Sequence, residues 1–434
     1  MGEDAEDVDM ETAETEKKPK KPKQVYLPHK PLKDDEELVC DESAYLILRD
    51  LHTGAPCLSF DVIPDEMGEN RSDFPLSFYF VAGTQAPKPK ENCIIVMKTS
   101  NLHKTQKSEE DDDSDEEDED SEDEEPEEKA PKMDYASVAH FGCINRIRTT
   151  SFNNTILAAA WSEMGKVSVW DLKNQIQAVN DLRLLAKYRS DNLEVNSKPL
   201  YTFSGHQSEG FAVDWCSTIK GMLATGDCKK NIHLWTPGEE GWKVDQIPLV
   251  GHLGSVEDLQ WSPNERHVLA SASVDKSIRI WDTRLTGSKA CMITVDNAHE
   301  SDVNVINWNR NEPFIVSGGD DGCLHIWDLR SIQTGKSVAT FKHHTKPVTT
   351  VEWHPTEATV FASGGEDNQI ALWDLGVEKD ADTMEEDIDN LPPQLLFIHQ
   401  GQQDIKELHW HPQIPGLIIS TAYDGFNIFR TISV

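Results

Sequence analysis

The chain lacks the features that mark membrane, secreted and zinc-binding proteins. Its 434 residues contain no apolar stretch near the ~18 residues of a membrane-spanning helix. The opening residues, MGEDAEDVDMETAETE, are acidic and have no apolar core, so we predict that they are not a signal peptide. The eight cysteines are scattered without a C-x-x-C pair. This pattern predicts reduced thiols in an intracellular protein, and neither disulfides nor a zinc site.

Motifs of the common enzyme classes are also missing. The sequence has no G-x-S-x-G and no H-E-x-x-H. The stretch TGKS, Thr334 to Ser337, resembles the end of a phosphate-binding loop, but Arg330 stands where that loop requires its first glycine. We therefore predict that the protein is not an enzyme and that it has no cofactor and no bound metal.

Basic residues are scarce relative to acidic ones. The chain has 77 Asp and Glu against 41 Lys and Arg, for a formal net charge of -36 at pH 7. Part of the excess is one run, EEDDDSDEEDEDSEDEEPEE from Glu109 to Glu128, in which 17 of 20 residues are acidic. We call this run the acidic tract. A protein of this charge repels nucleic acid and anionic membranes and attracts basic proteins. We therefore expect a basic partner, and neither a membrane nor a nucleic acid as a direct ligand.

The acidic tract has two interpretations, solvation of the surface and capture of a basic partner. Like charges repel and nothing apolar is available to bury, so the surrounding insert, residues 104–133, is predicted to be disordered. The acids recur along its length, for example at Glu109, Asp111, Asp115, Glu119, Glu124 and Glu128. Three serines, each followed by an acid three residues later, match a casein kinase II-like pattern: Ser108, Ser114 and Ser121. Phosphorylation there would add negative charge.

The second half of the chain contains a repeat with a period of 46 residues. An apolar run ends in tryptophan every 46 residues, at Trp235, Trp281, Trp327 and Trp373. A histidine precedes each of these tryptophans by 28 or 29 residues, and a second tryptophan follows each histidine by nine. Because these independent registers agree, the region is a tandem repeat.

Each repeat contains short β-rich runs bounded by turn residues, such as SVEDLQW, VLASASVD and SIRIWD, with a further run such as ACMITVD. Four short strands in a repeat of roughly 40–50 residues indicate a β-propeller blade. The pattern extends to His140 with Trp170 and to His399 with Phe429, and strand-like runs before the acidic tract supply one more unit. We therefore predict an all-β, seven-bladed β-propeller over residues 55–434. Its ring would close by pairing the C-terminal strand with an N-terminal one.

The dipeptides Gly205-His206, Gly251-His252 and Trp281-Asp282 resemble WD repeats. In that family a histidine, a turn aspartate, a serine or threonine and the tryptophan form a hydrogen-bonded chain within a blade. The resemblance therefore implies a structural role for these residues, not catalysis. The turn aspartate stands six residues before the tryptophan in three units, at Asp275, Asp321 and Asp367. In the unit that ends at Trp235, the same position is Lys229.

The N-terminal region does not follow the repeat. Residues 1–33 are predicted to be a disordered arm, and their cluster KKPKKPK, Lys17 to Lys23, is typical of a nuclear localisation signal. Residues 34–54 are predicted to be a helical region. Within it, Asp41 is suited to cap a helix that runs from about Glu42 to Leu51 and packs on the propeller.

The last repeat is interrupted by an acidic loop, residues 377–393, which lengthens its spacing from 46 to 56 residues. The loop turns at Pro392-Pro393 into an apolar run from Leu395 to Ile398. A helix before the first blade, GAPCLSFDVI, and an acidic loop leading into PPQLLFIH together resemble the histone-binding WD-repeat proteins. Those proteins are chaperone-like subunits of chromatin assembly and deacetylase complexes.

This resemblance implies a groove between the N-terminal helix and the acidic loop, in which a client would bind. By client we mean the basic protein that the chain carries. The residues assigned to the first wall are Tyr45, Leu46 and Leu48. Those assigned to the loop wall are Glu385, Glu386, Asp387, Asp389, Pro392, Pro393 and Leu395.

Further stretches, INRIRT, GDCKKNIHLWTP and the ending FRTISV, resemble the glutamate-rich WD-repeat proteins. That resemblance implies a nucleolar factor that carries a newly made basic ribosomal protein, large-subunit protein three, to the pre-ribosomal particle. It also implies nuclear localisation and histone binding through the same groove. The groove would set the register of the client, while the acidic tract would screen the client's charge and speed encounter.

Two alternatives share much of this evidence. A histone chaperone acting in chromatin assembly would use the same groove. A substrate adaptor of a cullin ubiquitin ligase is indicated by WDTR and WDLR, which match the W-D-x-R pattern of such adaptors at Arg284 and Arg330.

Overall fold

A computed structural model of the chain describes residues 38–105, 130–378 and 391–433. The chain divides into two compact units, Met1–Asp41 and Glu42–Val434. In the first unit the described residues, 38–41, form neither helix nor strand. In the second unit the described residues are mostly strands.

The strands of the first half are β1 (Tyr45–Leu51), β2 (Cys57–Ile63), β3 (Leu76–Thr84), β4 (Cys93–Leu102), β5 (Lys132–Ala139), β6 (Ile144–Phe152), β7 (Thr155–Ser162), β8 (Lys166–Asp171), β9 (Tyr201–Phe203), β10 (Ala212–Trp215), β11 (Leu223–Gly226), β12 (Ile232–Gly238) and β13 (Gly241–Val244). Those of the second half are β14 (Val256–Trp261), β15 (Val268–Ser273), β16 (Ile278–Asp282), β17 (Cys291–Val295), β18 (Val303–Trp308), β19 (Phe314–Gly319), β20 (Cys323–Asp328), β21 (Ala339–Lys342), β22 (Val348–Trp353), β23 (Val360–Gly365), β24 (Gln369–Asp374), β25 (Leu395–Gln400), β26 (Glu407–Trp410), β27 (Leu417–Ala422) and β28 (Gly425–Thr431). The α-helices are α1 (Lys173–Ala178), α2 (Leu182–Ser190) and α3 (Leu193–Asn196), between β8 and β9.

These strands form seven antiparallel sheets of four strands each, which are the blades of a β-propeller. Blade 1 is β2 to β5, and the next five blades follow in chain order up to β25. Blade 7 has the order β1-β28-β27-β26, so the N-terminal strand completes the C-terminal sheet. The prediction of a seven-bladed WD-repeat propeller is confirmed, including closure of the ring by the two ends of the chain.

The core lies between neighbouring blades. Middle strands are buried along their whole length, as in β23, because both faces of a blade pack against the next sheet. One such cluster joins Val316 and Leu324 of blade 5 to Trp353, Phe361 and Trp373 of blade 6. The apolar runs of the repeat are therefore the strands whose two faces are both covered.

The second tryptophan of the repeat holds neighbouring blades together. The backbone N–H of Trp261 donates to the carboxylate of Asp214 at 2.7 Å, and its indole donates to the Asp214 carbonyl at 3.0 Å. Trp353 makes the same pair of bonds to Asn307 of the preceding blade, at 3.0 and 3.1 Å. A buried indole needs such an acceptor, which explains why the residue recurs at this position.

The ring closure has its own polar centre at Glu407 on β26. One carboxylate oxygen accepts from the Ser59 hydroxyl at 2.7 Å and the Phe60 backbone at 2.9 Å, both in blade 1. The other lies 2.7 Å from the guanidinium of Arg146 and 2.6 Å from that of Arg148, both in blade 2. Burial acts to raise the pKa of Glu407, but the two arginines hold that pKa well below its usual range. One carboxylate thus links blades 7, 1 and 2.

The predicted helix from Glu42 to Leu51 is wrong. Only Glu42–Ala44 forms a helical turn, of the 3-10 type, and Tyr45–Leu51 is strand β1, antiparallel to β28. Tyr45 is 7% exposed and Ile47 0%, so the burial alternates as in a strand. Without β1 the edge of β28 would be left open, which favours the extended form.

The helical insertion between β8 and β9 was not predicted. Asp181 caps α2 by accepting from the backbone N–H of Arg183 at 2.7 Å. Leu185 and Tyr188 face inward, and the Tyr188 hydroxyl donates to the Ser137 carbonyl of β5 at 2.8 Å. The insertion therefore packs against the outer strand of blade 1. Among the described residues, no helix is long and apolar enough to cross a membrane.

Candidate client-binding site

The first predicted wall lies on β1, but its three residues differ in exposure. Tyr45 is buried; its hydroxyl lies 2.9 Å from Nδ1 of His399 on β25, and its ring meets Phe397 edge-on with centroids 5.4 Å apart. Leu46 and Leu48 are half-buried. Tyr45 therefore anchors β1 to blade 6, and the two leucines are the part of this wall that a client could touch.

The second predicted wall meets the first at the junction of blades 6 and 7. Strand β25 begins at Leu395, directly after Pro392 and Pro393, and the Leu395 N–H donates to the Pro392 carbonyl at 3.0 Å. Two side chains of β25, Leu396 and Phe397, pack with Leu48 around the buried Tyr45 and remain half-buried. The structure thus brings the N-terminal strand beside the strand that follows the proline pair.

The acidic tract leaves the propeller at the same place. Thr105, the last described residue before it, donates its N–H to the Leu46 carbonyl at 2.9 Å. The Thr105 hydroxyl accepts from the Leu48 N–H at 2.7 Å. Sequence reasoning missed this link, because the two residues are far apart in the chain and Thr105 follows no repeat pattern. The tract therefore starts on the wall that carries the two leucines.

Several predicted residues lie outside the described part of the chain. They are the loop acids Glu385, Glu386, Asp387 and Asp389, the acidic-tract residues Glu109, Asp111, Asp115, Glu119, Glu124 and Glu128, and the serines Ser108, Ser114 and Ser121. The assignment of these residues to a client surface stays a prediction.

The histidine behind this junction is neutral at physiological pH. Nε2 of His399 donates to the Asn427 side chain at 3.1 Å, so Nδ1 accepts from the Tyr45 hydroxyl. The ring stacks on Phe429 with centroids 3.9 Å apart. Burial lowers the pKa of His399 to about 4. The histidine therefore supports the wall and adds no positive charge that would oppose a basic client.

Comparison with family models supports both parts of this description. Residues 35–103 match the model that describes the histone-binding protein RBBP4 and its counterpart in the CAF1 complex. Residues 244–282, 290–328 and 335–374 match the WD domain, G-beta repeat. The histone-binding match covers β1 and the first three strands of blade 1.

Whole-chain relatives decide the family. The chain is 45% identical to glutamate-rich WD repeat-containing protein 1 of Dictyostelium discoideum, over 92% of this chain and 83% of the relative. It is 40% identical to ribosome assembly protein rrb1 of Schizosaccharomyces pombe, over 94% and 84% of the two chains. This chain belongs to the glutamate-rich WD-repeat family. A similar relative is the protein HEAT STRESS TOLERANT DWD 1 of Arabidopsis thaliana, 45% identical over 93% and 90%.

In this member of the glutamate-rich WD-repeat family, the His-Asp pairs are used up by the blades. In blade 4, His252 donates to Asp275 at 2.9 Å and accepts from Ser271 at 2.6 Å, and the Trp281 indole donates to Ser271 at 2.8 Å. Burial lowers the pKa of His252, and it opposes the hydrogen bonds that lower the pKa of Asp275. Neither ring nitrogen of the histidine is left for proton transfer, which supports a structural role.

Blade 3 keeps the same chain although Lys229 occupies the expected aspartate position. His206 donates instead to Asp227 at 3.0 Å and accepts from Thr225 at 2.8 Å, and the Trp235 indole donates to Thr225 at 2.9 Å. Asp227 also accepts from the backbone N–H of Asn231 at 2.9 Å. The turn has shifted its aspartate by two residues without losing the network.

One blade offers a group that resembles a metal site. Ligand atoms of His299, Asp321 and His325 lie within 4.8 Å of one another. However, His299 is bonded to Asp321 at 3.0 Å and to Ser317 at 2.7 Å, as in the other blades. Two lysines, Lys276 and Lys342, line the same cleft, and their charge disfavours a cation. We therefore assign these residues to the blade's polar network.

The two arginines of the W-D-x-R pattern are exposed and paired within their own turns. Arg284 binds the Asp282 carboxylate through two nitrogens, at 2.9 and 2.6 Å. Arg330 binds Asp328 in the same way, at 2.9 and 2.7 Å. Their side chains are 69% and 68% exposed. The turn thus fixes each guanidinium in one orientation at the surface.

Proposed function

We propose that this chain is a non-enzymatic scaffold and escort for a basic client in ribosome biogenesis. The preferred client is a newly made large-subunit ribosomal protein, large-subunit protein three, and histones would bind through the same groove. The name of the fission-yeast relative, ribosome assembly protein, supports the process. The propeller would act in the nucleus and nucleolus, where it would meet the pre-ribosomal particle.

The observation that carries this proposal is the convergence at the junction of blades 6 and 7. The half-buried Leu46 and Leu48, the strand after Pro393 and the start of the acidic tract at Thr105 lie together. An apolar strip beside a polyanion is complementary to a basic amphipathic segment. Apolar contacts would set its register, and charge would speed encounter and screen the client from nucleic acid.

Site-specific photo-cross-linking tests the location of the groove. A benzophenone side chain placed at Leu46 or at Pro393, both outside the core, is expected to cross-link to purified large-subunit protein three. The control is Tyr423, which is 69% exposed and sits in the hairpin at the other end of β28. Cross-linking at Tyr423 alone, or equally at all three positions, would exclude this groove as the client site.

A histone chaperone acting in chromatin assembly is the second candidate. The match of residues 35–103 to the histone-binding model favours it, because that stretch carries β1. Competition ranks the two: labelled ribosomal protein bound to the chain is titrated with histone. We expect histone to displace it only at a higher concentration than unlabelled ribosomal protein; the opposite order would make histone the main client.

A cullin ubiquitin-ligase adaptor role is the third candidate, and the exposure of Arg284 and Arg330 favours it. The double substitution of both arginines to alanine should abolish association with the ligase in a pull-down and leave client binding intact. Unchanged association would remove the adaptor role without affecting the escort role.

A further inference from the structure

The helical insertion is a basic surface on a strongly acidic protein. Residues 173–198 contain five Lys or Arg and three Asp or Glu, whereas the whole chain has a net charge of -36. Three of these cations, Arg183, Lys187 and Arg189, lie on α2. No part of the groove or of the propeller closure makes use of them.

Two of these cations have no acidic partner among the residues that the structure describes. Arg183 and Lys187 are exposed, stand one helical turn apart, and form no ion pair with a described carboxylate. The opposite face of α2 is fixed to the propeller through Leu185 and Tyr188. Packing therefore holds the cationic face outward.

The acidic tract re-enters the propeller next to this helix. Strand β5 begins at Lys132, directly after the tract, and the insertion packs on it. The guanidinium of Arg189 lies over the ring of Tyr135 on β5, 5.6 Å from its centre. Glu128 precedes Tyr135 by seven residues, a segment that spans at most ~25 Å. Because α2 is only ~13 Å long, its three cations are all within reach of the tract.

We propose that the C-terminal half of the acidic tract binds the outward face of α2 when no client is present. Attachment at β5 makes the contact intramolecular, so a set of individually weak pairs acts at a high effective concentration. Such a contact is exposed to solvent and therefore exchanges readily and weakens with salt. Resting on the proposed function, a basic client would compete with α2 for the tract, which would restrain the tract from binding other cations.

Zero-length carbodiimide cross-linking of the full chain tests this contact without any client. The Lys187 amine is expected to join carboxylates of the tract, identified by mass spectrometry, about five-fold more often than the equally exposed Lys336 of blade 5 at roughly 0.1 M salt. At about 1 M salt, where the screening length falls to ~3 Å, the two yields should become equal. A mixture of isotope-labelled and unlabelled protein shows whether the linked peptides come from one molecule.

A matched variant separates a specific contact from general reactivity. Substituting Arg183→Ser and Arg189→Ser keeps Lys187 and the packed face, and should lower the Lys187 cross-link severalfold with no change at Lys336. Equal yields at the two lysines in low salt, cross-links between different molecules, or a yield unaffected by the variant would overturn the proposal. Because no client is present, that failure would leave the escort function untouched.

Discussion

The hydroxyl of Tyr45 lies 2.9 Å from Nδ1 of His399, and this bond ties the N-terminal strand of blade 7 to the outer strand of blade 6. The bond is buried, and the imidazole is held from its other side by Asn427. The N-terminal strand therefore closes the ring and also forms one wall of the candidate groove. Closure of the fold and formation of the site depend on the same few residues.

Tyr45→Phe is expected to destabilise the protein by about 1–2 kcal/mol, because it removes one hydrogen bond and leaves a buried imidazole nitrogen without its donor. Urea unfolding measures the change. Tyr423→Phe is the control, since Tyr423 is 69% exposed and its substitution should change the unfolding free energy by less than ~0.5 kcal/mol. Equal effects of the two substitutions would show that the Tyr45 bond does not contribute.

Glu407→Gln is expected to be far more damaging, at about 3–5 kcal/mol, because it leaves two buried arginines without a compensating charge. The same change at the exposed Glu239 should be nearly silent. Thermal and urea unfolding both apply here. If Glu407→Gln were no worse than Glu239→Gln, the closure would not depend on this carboxylate.

Asp227→Ala should destabilise blade 3 about as much as Asp275→Ala destabilises blade 4, by roughly 2–4 kcal/mol, since each removes the acceptor of a buried histidine. Lys229→Ala, at the position where the repeat pattern expects the aspartate, should have little effect. Hydrogen exchange of the blade 3 amides locates the damage. A large effect at Lys229 would contradict the shifted network.

The blades were predictable because each strand repeats in register with its neighbours, so the tryptophan spacing reports the architecture directly. Strand β1 was misassigned because Tyr45, Leu48 and nearby apolar residues also fit a helical spacing. Only its partner β28, at the other end of the chain, decides between the two forms. Closure of the ring, a tertiary constraint, outweighs local propensity here.

Other features of the site could not be read from local pattern. The insertion around α2 breaks the repeat and buries just two side chains of the helix, so its periodicity is weak. The link from Thr105 to Leu46 joins two segments that no repeat register relates. The groove assignment of Leu46 and Leu48 followed from family resemblance, and the structure adds their half-buried position.

The buried His399 should make stability depend on pH. An unfolded histidine titrates near pH 6.5, whereas burial lowers the pKa of His399 to about 4. Between these values the unfolded chain binds the proton and the folded chain does not, so this contribution is full above pH ~6.5 and is lost as the pH falls towards about 4. The stability difference between wild type and His399→Gln should shrink by ~1.4 kcal/mol per pH unit in that window. A constant difference, measured by urea unfolding, would contradict the neutral buried histidine.

The salt dependence of client binding tests the escort function most directly. Affinity for purified large-subunit protein three is measured between about 0.1 and 0.5 M salt, for the full chain and for a chain whose Glu109–Glu128 is replaced by a Gly-Ser linker of equal length. We expect the replacement to weaken binding about ten-fold or more at low salt, to flatten the salt dependence, and to leave the affinities nearly equal at high salt. Identical affinities and identical salt slopes for the two chains would show that the acidic tract only solvates the surface.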